Sequence, residues 1–169
     1  VLYSLFSIES DDFTLPTPTK PGYDFIGWGV GGTSDVYSTV TITKGTVGNQ
    51  SYTAKWKANG NTSYTVNIYY MDANGQYKEV PDITRTEAGE TDTTATVPSS
   101  AYIKDGFSYD STKSSDSGTI TGDGKLQLSL YYTRNQYDIA FKSYDGSETL
   151  YSYKGYYGTE ITFQGNKPV

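Results

Sequence analysis

The chain has 169 residues, a formal net charge of -6 and neither cysteine nor histidine. Disulfides, thiolate metal sites, histidine-based triads and histidine zinc sites are thereby excluded, and a pI near 4.5 disfavours phosphate backbones and anionic membrane surfaces as partners. Mean hydropathy is -0.58, so aliphatic burial is limited and the 18 Tyr, 6 Phe and 2 Trp must supply much of the buried area. Strand-forming Tyr, Thr, Val and Ile, punctuated by 18 Gly and 6 Pro, predict a mainly β chain (α+β at most) of two or more small modules with little helix.

In chain order, Val1 to Phe13 reads as a strand or strand pair interrupted by Glu9-Ser10-Asp11-Asp12. Val1-Leu2-Tyr3-Ser4-Leu5-Phe6 lacks a basic lead-in and no apolar run reaches membrane-spanning length, so an export signal or anchor is expected to lie outside this segment. The stretch Leu15-Pro16-Thr17-Pro18-Thr19-Lys20-Pro21-Gly22-Tyr23-Asp24-Phe25-Ile26-Gly27-Trp28 carries the most specific spacing. Pro16, Pro18 and Pro21 fix φ and remove donors, which makes a rigid extended entry. Gly22 permits a left-handed turn, Tyr23, Phe25 and the pair Ile26/Trp28 supply apolar surface at strand spacing, and Gly27 leaves room for a close backbone approach.

Gly29 to Asp35 then reads as a loop, Val36 to Thr43 as one exposed strand, and Lys44-Gly45 as a turn. Ser51 to Lys57 alternates Tyr52, Ala54 and Trp56 against Thr53, Lys55 and Lys57, which places Trp56 in a core. The pattern LPTPTKPGYDFIGW, followed by KGTVGNQSYTAKW, resembles the internalin B repeat, also called the Listeria-Bacteroides repeat, over about residues 9–56. The resemblance implies a small β-grasp-like module used in tandem in extracellular stalks of bacterial surface proteins, and it brings no catalytic residue. The family's opening strand is missing from the first module, 1–57.

Residues 58–63, without a large apolar side chain, read as a linker. Tyr64 to Met71 is a strand with Val66, Ile68 and Tyr70 inward, Asp72-Ala73-Asn74-Gly75 a hairpin turn, and Tyr77 to Arg85 the returning strand. Glu87 to Thr96 is polar and loop-like, Ala101 to Lys104 suits one helical turn ended by Gly106, and Lys125 to Arg134 is a strand with Leu126, Leu128, Leu130 and Tyr132 on one face. This block, 64–134, resembles the mucin-binding-protein repeat of bacterial surface proteins in its opening strand, its D-x-N-G turn and its closing aromatic strand. From Tyr137 the strand, turn and strand rhythm returns around Asp145-Gly146, and 135–169, ending Lys167-Pro168-Val169, resembles the opening half of a further internalin B type repeat. The two ends are complementary halves, so the tail is expected to pair with a sheet edge of its own chain or of a neighbour.

Few residues offer chemistry. The acidic groups Glu9/Asp11/Asp12 and Glu87/Glu90/Asp92 could supply a carboxylate pair only within a cleft, and modules this small seldom enclose one. Asp72-x-Asn74-Gly75 begins like a calcium loop but lacks its later ligands, and Asp110, Asp116 and Asp123 form an oxygen-rich region able to hold at most a weak hard cation. A Lys to Asn isopeptide bond, known from other stalk domains, requires a buried, neutral lysine. Exposed tyrosines remain: Tyr69, Tyr131, Tyr153 and the pair Tyr156/Tyr157 fall where alternation turns one of each pair outward, either for cross-strand packing or for contact with a sugar.

The expected role is a non-enzymatic spacer in the stalk of a bacterial cell-surface protein, with no cofactor or metal and with neighbouring repeats as its partners. The alternative is a module that itself binds host glycan or mucin through those tyrosines. Neither nucleic acid binding nor membrane insertion within the segment is expected.

Overall fold

A computed structural model describes residues 9–162. Val1 to Phe6 and the tail Lys167-Pro168-Val169, read above as part of an opening strand and as an edge-pairing tail, lie outside the described residues. Thirteen strands and no helix occur among those described: β1 (Phe13–Thr14), β2 (Tyr23–Val30), β3 (Val36–Tyr37), β4 (Thr41–Ile42), β5 (Tyr52–Ala58), β6 (Thr62–Tyr70), β7 (Ile83–Gly89), β8 (Thr94–Thr96), β9 (Phe107–Tyr109), β10 (Ser117–Thr119), β11 (Gln127–Arg134), β12 (Gln136–Lys142) and β13 (Thr149–Tyr156). The mainly β expectation holds, and no helix is long and apolar enough to cross a membrane. The chain forms two compact units. The first holds the chain through Thr62 with Ala88–Thr93 and Ile120–Gly124, and the second holds Ser63–Glu87, Thr94–Thr119 and the chain from Lys125 on.

In the first unit β2 is central to the sheet β3-β2-β5, antiparallel to both neighbours. Phe25 opposes Trp56 and Gly27 opposes Lys55, so Ile26 is an extra residue bulged out of the ladder. Gly27, at φ 141, takes a conformation that a side chain rarely adopts, and a Cβ there would run into Val36 and the Tyr37 backbone. The bulge corrects the sequence reading that grouped Ile26 with Trp28. It flips the face, leaving Ile26 51% exposed and bringing Trp28 beside Phe25, edge-on at 5.5 Å, with Trp56 against Phe25 at the same spacing.

Alternation in β5 runs as expected, but Trp56 is half-buried rather than enclosed, as are Tyr23, Phe25 and Trp28. The run 36–43 is two short strands in different sheets, because β3 pairs with β2 while β4 turns away to pair with β1. Gly29 and Val30, read as loop, extend β2 opposite Thr53 and Tyr52. Pro18 is half-buried and Pro21 exposed in the irregular entry, which follows β1 after Leu15 N–H donates to the Val40 carbonyl at 2.9 Å.

The second unit is built on the sheet β7-β6-β11-β9. β6 and β11 run parallel, from Thr65 opposite Gln127 to Tyr70 opposite Tyr132. Their inward rows, Val66, Ile68, Leu128, Leu130 and Tyr132, are all 0% exposed, each stabilising the fold by roughly 1.5–3 kcal/mol. Tyr132 donates its hydroxyl to the Ser99 carbonyl at 2.9 Å and Tyr70 donates to that of Tyr102, so neither phenol is buried without a partner.

Three expectations fail in this unit. The return strand begins at Ile83, not Tyr77, because Pro81 has no donor and Asp82 takes over the end of β6: its N–H donates to the Ile68 carbonyl and its carboxylate accepts Tyr70 N–H at 2.8 Å. The polar run 87–96 contains the end of β7 and all of β8, which pairs with β10. Ala101 to Lys104 makes consecutive turns (Ala101 N–H to the Pro98 carbonyl at 2.9 Å) without becoming helical.

β12 and β13 form the antiparallel hairpin expected around Asp145-Gly146. Ser143 and Ser147 hydroxyls and the Ser147 N–H all donate to Asp145 Oδ1, holding its carboxyl down at about 2 from an ordinary 3.8.

Candidate functional site

Alternation on β6 and β11 that buries Val66, Ile68, Leu128 and Leu130 sends Thr65, Asn67, Tyr69, Gln127, Ser129 and Tyr131 to the other face. Tyr69 and Tyr131 are directly opposed across the parallel ladder and stack face to face, 4.5 Å between ring centres and 5° between planes. Tyr77 meets Tyr131 edge-on at 5.0 Å and 88°, and its hydroxyl shares a 2.9 Å hydrogen bond with that of Thr133. Burial, followed by the neighbouring Tyr131 phenol, pushes the Tyr69 phenol up, and burial likewise raises Tyr77. These rings are a packed cluster, with Tyr69 and Tyr131 face to face and Tyr77 edge-on to Tyr131.

Tyr77 had no signal in the sequence. It leads the irregular segment before β7, positioned by an Asp72 carboxylate that accepts the N–H groups of Asn74 and Gln76, both at 2.8 Å. Those bonds hold the Asp72 carboxyl below its ordinary value and identify Asp72 to Gly75 as a turn.

The other three tyrosines do not join this group. Tyr153, on β13 opposite Ile139, lies over Gly155, Tyr156 rests its hydroxyl on Gly75, and Tyr157 covers Gly106 with its ring. Arg134 ties this end together, donating from Nε to the Met71 carbonyl at 3.2 Å and from Nη1 to the Tyr157 carbonyl at 2.8 Å, with its guanidinium 4.9 Å from the Phe107 ring centre. Of this pair Tyr157 is the outward member, 43% exposed, and Tyr156 is half-buried, while each touches a glycine of a neighbouring turn.

The acidic candidates are dispersed into local structure. Asp12 accepts Lys44 N–H at 2.9 Å, Asp92 accepts the Tyr23 hydroxyl, and Asp110 accepts the Thr112 hydroxyl and the N–H groups of Thr112 and Lys113. Asp116 accepts the Tyr109 hydroxyl at 2.7 Å. Among the described residues no group of three or more acidic side chains converges on a common point. Every described lysine is exposed, so the buried neutral lysine that an isopeptide bond requires is missing among them. In the first unit a polar groove of about 110 Å³ opens between Asp35, Thr53, Lys55 and the Gly29 to Gly31 backbone, too small for a drug-sized ligand. No family model, curated protein or solved structure matches the chain.

Proposed function

We propose that this segment is a non-enzymatic spacer in the stalk of a bacterial cell-surface protein, built to bear tension. The observation that supports it is the parallel pairing of β6 with β11 over six consecutive residue pairs. β6 is the first strand of its sheet along the chain and β11 the last, so tension enters at the start of one and leaves at the end of the other. The two strands are drawn past each other lengthwise, and all the ladder bonds between them are loaded together, together with the side chains packed from both strands. A strand pair opened from one end breaks its bonds one at a time and yields to a smaller force.

The Tyr69–Tyr131 stack contributes to the same pair from the opposite face, and its closed geometry favours the spacer over a sugar platform. The bacterial, extracellular setting rests on the internalin B resemblance of residues 9–56 and the mucin-binding-protein resemblance of 64–134. Stretched between its ends in a single-molecule instrument, the chain should give its highest-force rupture with the length of the segment between β6 and β11. Smooth lengthening at low force would overturn the reading.

A further inference from the structure

The turn that opens β2 and the turn that opens β9 share a pattern: Lys20-Pro21-Gly22-Tyr23-Asp24-Phe25 and Lys104-Asp105-Gly106-Phe107-Ser108-Tyr109. Both glycines sit at φ 76, and in both turns the aromatic N–H donates to the lysine carbonyl at 3.1 Å. Each aromatic strand pairs with a strand that ends in an asparagine: Tyr23 opposes Ala58, followed by Asn59, and Phe107 opposes Arg134, followed by Asn135. Each asparagine N–H donates to the carbonyl of its glycine, Asn59 to Gly22 and Asn135 to Gly106, both at 2.8 Å.

The free carbonyl of each asparagine is then taken by a second turn, and the two second turns also match. Thr91 N–H donates to the Asn59 carbonyl at 2.9 Å and Tyr157 N–H to the Asn135 carbonyl at 2.8 Å. Thr91 is followed by Asp92 at φ 67, and Tyr157 by Gly158 at φ 73. Two residues on from each donor, a threonine closes the turn. Thr93 bonds the Glu90 carbonyl through its N–H (3.2 Å) and hydroxyl (2.7 Å), and Thr159 bonds that of Tyr156 in the same way (3.1 and 2.7 Å). Both turns end a strand through a glycine, Gly89 or Gly155. Each also lies against a backbone that tolerates no side chain: a Cβ on Gly106 would run into the Tyr157 ring, and one on Gly22 into Thr91 Oγ1 and Gly122 Cα.

We infer that the chain uses one coupling joint twice: a socket of Lys-x-Gly-aromatic turn plus strand-ending asparagine, and a plug formed by the threonine-closed left-handed turn that ends a later strand. Since the intervals between corresponding residues differ, no fixed period reveals the repeat. Only the hydrogen bonds align it. The first joint lies within the first unit and the second within the second, so each seats its plug independently.

Amide exchange on the full chain tests this. Thr91 and Tyr157 lie outside strands, yet both amides should be protected in the native protein. Gly106→Ala should lower protection at Asn135 and Tyr157 by roughly tenfold or more while leaving Thr91 unchanged, and Gly22→Ala should do the reverse, with Ile68 and Leu130 amides reporting the intact core. Should either glycine variant fail to fold, Thr93→Val and Thr159→Val remove only a plug hydroxyl, and each should weaken its own joint alone. Solvent-like exchange of Thr91 or Tyr157 in the native chain, or variants whose effects do not separate between the joints, would overturn the proposal.

Discussion

The sheets β3-β2-β5 and β7-β6-β11-β9 both carry clustered aromatic rings, yet only the second encloses its side chains. In the first, Phe25, Trp28 and Trp56 meet edge-on and stay half-buried. In the second, aliphatic rows from two parallel strands are sealed completely, and Tyr132 closes one end with its hydroxyl satisfied. Aromatic area holds a small sheet together without closing it, whereas a β-branched and leucine alternation on neighbouring strands excludes water. The consequence is unequal cost of damage.

Leu130→Ala should therefore be the most harmful core change, about 2–5 kcal/mol, since the cavity it leaves has no solvent to fill it. Loss of amide protection along β6 and β11 in a urea series measures it. Trp56→Ala should cost less, about 1–3 kcal/mol, because its half-buried ring already borders water. Trp28 fluorescence follows that unit. Equal costs at the two positions would break the comparison between the sheets.

A smaller effect is expected in the hairpin at Asp145, whose carboxyl is depressed by three donors to about 2. A depressed acid contributes stability that is fully present above its unfolded value, near 3.8, and is lost as pH falls through about 2. Asp145→Asn should thus loosen the turn at neutral pH, with the difference from the native chain vanishing as pH falls from about 4 to about 2. Chemical shifts of the Ser147 amide read this directly.

Much of this fold was legible locally. The alternation of Val66, Ile68 and Tyr70, that of Leu128, Leu130 and Tyr132, and the turns at Asp72 and Asp145 depend on neighbours in sequence, and they appear where expected. What escaped depends on residues far apart. The parallel register of β6 and β11 has no local signature, the Ile26 bulge interrupts period-two alternation by a single residue, and the division of 36–43 follows from two different partner strands. For the candidate site, outward placement of Tyr69 and Tyr131 could be read, but their stacking on each other could not. Nor could the contacts that hold Tyr156 and Tyr157, which come from Gly75, Gly106 and Arg134.

Tension borne by β6 and β11 in parallel is tested most directly by changing only the direction of pull. The chain has no native cysteine, so paired cysteines at exposed positions give unique attachment points. Ser63 with Gln136 loads the two strands lengthwise, and Ser63 with Gln127 peels them apart from their adjacent starts. The first geometry should rupture at a clearly higher force than the second. Equal forces in both directions would contradict the load-bearing account.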